Sequence, residues 1–92
     1  MRVVHKYLLE IASTQVITPG YNVRQVLHAD LQNGHICLWA EVDTDDKADD
    51  MIYVSMNYTG SELAHGEDPC YMYVSTVVRE RLLYHIYAKV DK

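Results

Sequence analysis

The dipeptide Asn33-Gly34 constrains this chain more than any other local feature. It separates two runs that alternate apolar and polar residues, Val23 to Gln32 and His35 to Asp43. A two-residue type I′ hairpin loop needs positive φ at both positions, which Asn and Gly adopt at little cost. Such a loop sets Gln32 opposite His35, so that Leu31 faces Ile36, Ala29 faces Leu38 and Leu27 faces Ala40. Directly opposed residues share a face of the sheet. One face of the expected hairpin is therefore Leu27, Ala29, Leu31, Ile36, Leu38, Ala40 and Val42, all apolar. The other carries Val26, His28, Asp30, Cys37, Trp39 and Glu41.

A period of two runs through the rest of the chain and points to strands. Val3 to Glu10 places Val3, His5, Tyr7 and Leu9 on one face, and Thr18-Pro19-Gly20 marks a turn. Asp43 to Asp50 is polar and acidic and reads as a loop. Met51 to Tyr58 alternates, with Ile52, Val54, Met56 and Tyr58 together. Thr59 to Pro69 contains Gly60, Gly66 and Pro69 and reads as a long loop. Tyr71 to Val78 groups Met72, Val74 and Thr76; a polar turn at Arg79-Glu80 leads to Leu82 to Val90, which groups Leu82, Tyr84, Ile86 and Ala88. The segment Arg79 to Leu83 would also tolerate a helical turn. The expected fold is mostly β, a small antiparallel sandwich or partly open barrel of six to seven short strands.

Ninety-two residues suit a single domain spanning 1–92. A chain this short hides only about 60–68% of the surface its unfolded form exposes, enough for one core but not readily for a deep cavity as well. Eight scattered Lys and Arg against thirteen Asp and Glu give a formal net charge of −5. Nucleic-acid binding needs clustered cations to displace counterions, and anionic membranes attract basic segments, so neither partner is expected. No charged-then-apolar leader follows Met1, and no apolar run approaches the ~20 residues of a membrane span. The aromatic complement is eight Tyr, one Trp and no Phe. Tyr suits half-buried strand faces and binding surfaces alike.

The chain offers no recognisable catalytic constellation. Counted from Asp43 as a calcium loop, the sixth position is Ala48 rather than Gly and the twelfth is Val54 rather than Glu. His5, His28, His35, His65 and His85 lack zinc spacing; His35 and Cys37 share a strand face but have no evident third or fourth ligand. Cys37 sits mid-strand rather than on an exposed elbow, and Cys37 and Cys70 form no disulfide framework. No phosphate-cradling glycine loop is present. The expectation is a protein that is not an enzyme and uses no cofactor or metal.

What remains is a surface. Trp39 lies opposite the apolar stripe, with His28 and Asp30 on its face. Trp is over-represented at the energetic centres of interfaces, although it is also buried on average. Glu41, Asp43, Asp45, Asp46, Asp49 and Asp50 follow it as an acidic run. Such a run is ordinarily a solvated face, but it can also steer a basic partner into place. Trp39 and these six acids form the expected protein-interaction surface.

The sequence also resembles an uncharacterised family of small proteins encoded mainly by tailed bacteriophages. The resemblance is carried by Lys6-Tyr7-Leu8-Leu9, Gln15-Val16-Ile17, Pro19-Gly20, Gln32-Asn33-Gly34, Cys37-Leu38-Trp39-Ala40, Val42-Asp43 and His85-Ile86-Tyr87. The chain departs from the family pattern at Tyr58-Thr59-Gly60-Ser61, where Gly-Thr-Gly-His is usual. The resemblance implies a phage product acting in the host bacterial cytoplasm. The leading expectation is an accessory protein that binds a host protein, such as a CRISPR effector or other defence complex, and inhibits or redirects it. The rivals are a minor virion or assembly protein that self-associates and a small ligand-binding module or enzyme; a homodimer fits any of them.

Overall fold

The computed structural model describes residues 1–92 and contains seven strands and no helix. They are β1 (Arg2–Leu8), β2 (Thr14–Ile17), β3 (Tyr21–Gln32), β4 (His35–Lys47), β5 (Met51–Tyr58), β6 (Met72–Arg79) and β7 (Leu82–Asp91). All pairings are antiparallel, in a three-stranded sheet ordered β1-β4-β3 and a four-stranded sheet ordered β2-β5-β7-β6. The sheets stack as a thin open sandwich, 40 × 32 × 16 Å.

The β3–β4 hairpin forms at Asn33-Gly34, whose φ values are 52° and 80°. Gln32 opposes His35, Leu31 opposes Ile36 and Ala29 opposes Leu38, as the two-residue loop requires. Beyond that the register departs from expectation. Leu27 is an extra residue in β3, so Val26 rather than Leu27 opposes Ala40, and a second extra residue, Arg24, lets Val23 oppose Val42. Each bulge reverses the alternation locally and bends the strand. The inner face is therefore Val23, Val26, Ala29, Ile36, Leu38, Ala40 and Val42, while Leu27 is 43% exposed and Leu31, at the open end, 38%. A bulge in β6 acts likewise. Ser75 opposes Ile86, so Ser75 and Val77 turn inward and Thr76 turns out beside His85. Thr76 does not share the face of Met72 and Val74 expected from strict alternation.

The other alternating runs keep their phase. Val3, Tyr7 and Leu9 of the β1 segment, Ile52, Val54 and Met56 of β5, and Tyr84, Ile86 and Ala88 of β7 lie in or against one apolar cluster. Tyr58 and Leu82, at strand ends, remain exposed. Arg79 to Leu83 makes no helical turn: Glu80 and Arg81 take positive φ (52° and 69°) and close β6 onto β7 as a second tight hairpin. The acidic run is a loop only from Ala48 to Asp50, because β4 continues through Lys47. Thr44 to Asp46 lie unopposed between the Asn22–Asp43 and Tyr21–Lys47 pairs, and the Thr44 N–H bonds the Met1 carbonyl, so the strand continues with its acidic side chains in water.

At one side of the sandwich, β3 and β6 approach each other at their bulges. The Ala29 N–H donates to Ser75 Oγ across the gap at 3.0 Å, and Ser75 Oγ also lies 3.1 Å from His28 Nδ1. Arg79 Nε donates to the Gly34 carbonyl and ties the two hairpin tips together. These contacts cover one pair of sheet edges and leave β1 and β2 as the free pair.

This packing separates two leucines that the sequence pattern treats alike. Leu38→Ala is expected to cost about 2–5 kcal/mol in urea unfolding, because the site is enclosed. Leu31→Ala is expected to cost less than about 1 kcal/mol.

Candidate functional site

The outward face of the β1-β4-β3 sheet is built on alternate residues of β4. With Ile36, Leu38, Ala40 and Val42 turned into the core, Cys37, Trp39, Glu41 and Asp43 must turn out. β1 sets Leu8, Lys6, Val4 and Arg2 opposite them in that order. β3 sets Asp30, His28, Gln25 and Asn22 on the other side. Trp39 is thus central, between Lys6 and His28, and it is half-buried. The His28 imidazole stacks against its ring with centroids 6.1 Å apart. Val4 and Leu8, at 55% and 64% exposure, extend the apolar surface toward the sheet edge. Cys37 is fully buried despite its outward phase, and its thiol contacts the His35 carbonyl.

The acidic residues do not form one patch. Glu41 and Asp43 lie on Trp39's face, but both are compensated: Glu41 by Arg2 at 3.9 Å, Asp43 by the Met1 amino group at 2.9 Å. That amino group, followed by a hydrogen bond from the Asp45 N–H, holds the Asp43 carboxyl below its usual range. Asp45 also pairs with the Met1 amino group and remains mostly exposed. Asp46 and Asp49 are exposed and form no ion pair.

Asp50 leaves the candidate set. It is only 5% exposed, and its carboxylate accepts a 2.8 Å bond from the Val23 N–H beside the Arg24 bulge. Lys92 Nζ adds an ion pair at 3.3 Å. Its role is structural: it satisfies the N–H of a fully buried residue on edge strand β3, a donor that would otherwise lack a partner.

The opposite sheet carries a second group that sequence reasoning read only as a loop. Residues 59–71 lie over the outer face of β5 and β7. The Ala64 N–H donates to Asn57 Oδ1 at 2.6 Å, and His65 Nδ1 lies 2.8 Å from Ser55 Oγ. The His65 ring packs on Tyr71 and Tyr87, at 4.5 and 4.7 Å between centroids. Lys89 pairs with Asp68 at 2.7 Å and sits over the rings of Tyr53 and Tyr71. Asp68 raises the Lys89 pKa and Lys89 lowers that of Asp68. The buried polar pair Ser55 and Asn57 is therefore explained by a covering loop. The one available clue was a Ser and an Asn at the outward positions of an apolar strand.

An open notch of about 680 Å3 lies between residues 11–14 and residues 61–64, floored by Met56, Tyr58 and Tyr84. Its buried polar side chain, Asn57, is already bonded to Ser55, the His85 carbonyl and Ala64, and no His or Cys lines it. No three His, Cys, Asp or Glu side chains are grouped to hold a metal, and no helix is long and apolar enough to cross a membrane.

Asp50 gives a pH test. Its carboxyl is held below the ordinary value chiefly by the Val23 N–H bond and then by Lys92. A depressed folded-state pKa contributes stability that is fully present above about pH 4, the ordinary carboxyl range, and is lost as pH falls toward the depressed value. Urea unfolding of Asp50→Asn across this acidic window should show a shallower fall in stability than the parent. An unchanged slope would mean the Val23 bond is absent in solution.

No curated protein and no solved structure matches the chain. One family does, over residues 1–92, and the chain belongs to it: the family described as Domain of unknown function (DUF7352).

Proposed function

We propose that this protein is a binding module that engages another protein through the outer face of its three-stranded sheet. The observation that carries this reading is Trp39, held on the central strand by pairing on both sides and left half-buried with no element packed over it. An aromatic anchor fixed on a rigid sheet loses little freedom on binding, and Trp is the residue type most concentrated at interface hot spots. Val4 and Leu8 supply apolar area to one side, His28 and Lys6 a polar rim. Asp45 and Asp46, unopposed between the Asn22–Asp43 and Tyr21–Lys47 pairs, and Asp49 in the following loop are exposed and steer a basic surface toward the anchor.

The biological setting in this reading is a phage accessory protein that binds a host protein in the bacterial cytoplasm and inhibits or redirects it, a CRISPR effector or other defence complex being the kind of target. This rests on the resemblance carried by the Gln32 to Asp43 block, which also builds the hairpin under the proposed surface. The acidic composition adds that such a target presents basic groups.

Affinity capture from host cells tests it. Tagged parent protein should recover a stoichiometric host protein. Trp39→Ala, verified as folded by circular dichroism, should weaken that complex at least about thirtyfold, the effect of losing a hot-spot residue. Combined Asp45→Lys, Asp46→Lys and Asp49→Lys should slow association and flatten its salt dependence. Recovery of no partner, or a complex indifferent to Trp39→Ala, would contradict the reading.

A further inference from the structure

The imidazole against which Trp39 rests is held from the other sheet. His28 lies on β3, an edge strand of the first sheet, and its ring stacks on the Trp39 ring with an interplanar angle of 28°. Ser75 lies on β6, an edge strand of the second sheet, and is buried with its hydroxyl 3.1 Å from His28 Nδ1. The hydroxyl oxygen already accepts the Ala29 N–H at 3.0 Å, which leaves its own hydrogen to donate. On the other side of the ring, His28 Nε2 faces Asp30 Oδ2 at 3.6 Å. A carboxylate only accepts, and a neutral imidazole carries one N–H. One arrangement satisfies all of these groups: Ser75 donates to Nδ1, and the imidazole proton sits on Nε2, toward Asp30. Turning the ring over would place carbon atoms against both Ser75 and Asp30. The two bulges make the contact possible. The extra residue Leu27 directly precedes His28 on β3, and the extra residue Val74 directly precedes Ser75 on β6. Both partners therefore follow the bends that bring the two edges together.

We infer that Ser75 is a positioning residue for the Trp39 surface: acting through His28, it fixes from the second sheet the orientation and tautomer of the ring on which Trp39 rests. This rests on the reading of Trp39 as a binding anchor. Lys6, the neighbour of Trp39 on β1, bonds Gln32 of its own sheet and has no tie to the second one. His28 is the cross-strand neighbour that has such a tie. An anchor braced in this way has little freedom left to lose in a complex, so removing the brace costs affinity without altering the contact surface itself. The bond to Ser75 also consumes the acceptor nitrogen of the imidazole. Beside Trp39 a partner then meets the Nε2–H and the Asp30 carboxylate rather than a free imidazole acceptor.

Magnetic resonance on the full chain alone tests this. Imidazole nitrogen shifts should show His28 unprotonated at Nδ1 and protonated at Nε2. Relaxation of the Trp39 indole N–H should show a ring as ordered as the β4 backbone. Ser75→Ala should move His28 toward mixed tautomers and lower the indole order, while the Leu38 and Ile86 methyls keep theirs. Ser75→Thr retains the hydroxyl and should restore both signatures. His28→Phe leaves the bond between Ser75 and the Ala29 N–H in place, but its ring has no atom to accept from Ser75, so it too should loosen the indole. A parent His28 protonated on Nδ1 would overturn the inference. So would an indole as ordered in Ser75→Ala or His28→Phe as in the parent, or a folded Ser75→Thr chain that behaves like Ser75→Ala. Core methyls loosened together with the indole would overturn it by making Ser75 a packing residue only. Binding of the captured host protein should weaken about three- to tenfold in Ser75→Ala, well short of the effect of Trp39→Ala. The resonance signatures need no partner, so failure of the host-binding reading and failure of this one are told apart.

Discussion

The pairing register of β4 decides which side chains fill the core and which face water. β4 is the only strand bonded on both sides within its sheet, and its thirteen residues set the phase of both neighbours. A slip of one residue would exchange the two faces. Ile36, Leu38, Ala40 and Val42 would go to water, and Trp39, Glu41 and Asp43 to the core. The turn at Asn33-Gly34 prevents the slip on one side, and the ladder to β1, bonded from Met1 to Leu9, prevents it on the other. Core, binding surface and open edge are three consequences of the same alternation.

Much of this could be read before the fold was known, wherever local chemistry alone decides the outcome. The type I′ turn follows from two residues that tolerate positive φ. The inward faces of β1, β5 and β7 follow from alternation in strands without interruption. The departures occur where tertiary contacts override the local period. Leu27 and Thr76 lie on unexpected faces because β3 and β6 each carry a bulge at their junction, and nothing in Val26-Leu27-His28 or Tyr73-Val74-Ser75 marks an extra residue. Glu80 and Arg81 adopt positive φ without the residues that usually signal it; the sequence signal there was a short polar turn, with no indication of its type. The acidic residues from Asp43 onward resemble solvated loop, yet the strand continues because Thr44 bonds Met1 and Lys47 pairs with Tyr21, leaving the charges between them in water.

The candidate surface was partly readable for the same reason. Trp39 and Glu41 share an outward face through the hairpin register alone, and the structure adds Lys6, Val4 and Leu8 from β1. Asp50 could not be told from Asp49 by sequence, since both are aspartates at the end of one acidic run. Only the tertiary placement of the buried Val23 N–H beside it explains why Asp50 is drawn inside. The loop over the second sheet was likewise readable as a loop but not as a cover, because its anchors, Asn57, Ser55 and Lys89, lie on distant strands.

β4 turns Leu38 into the core and Trp39 out. Nuclear Overhauser contacts in the full chain report it directly. The Trp39 ring should show cross-peaks to Lys6 and His28 and none to the methyl groups of Ile52, Val54 or Ile86, while the Leu38 methyls should connect with that core set. Trp39 contacts to the Ile52 or Ile86 methyls would contradict the register and everything built on it.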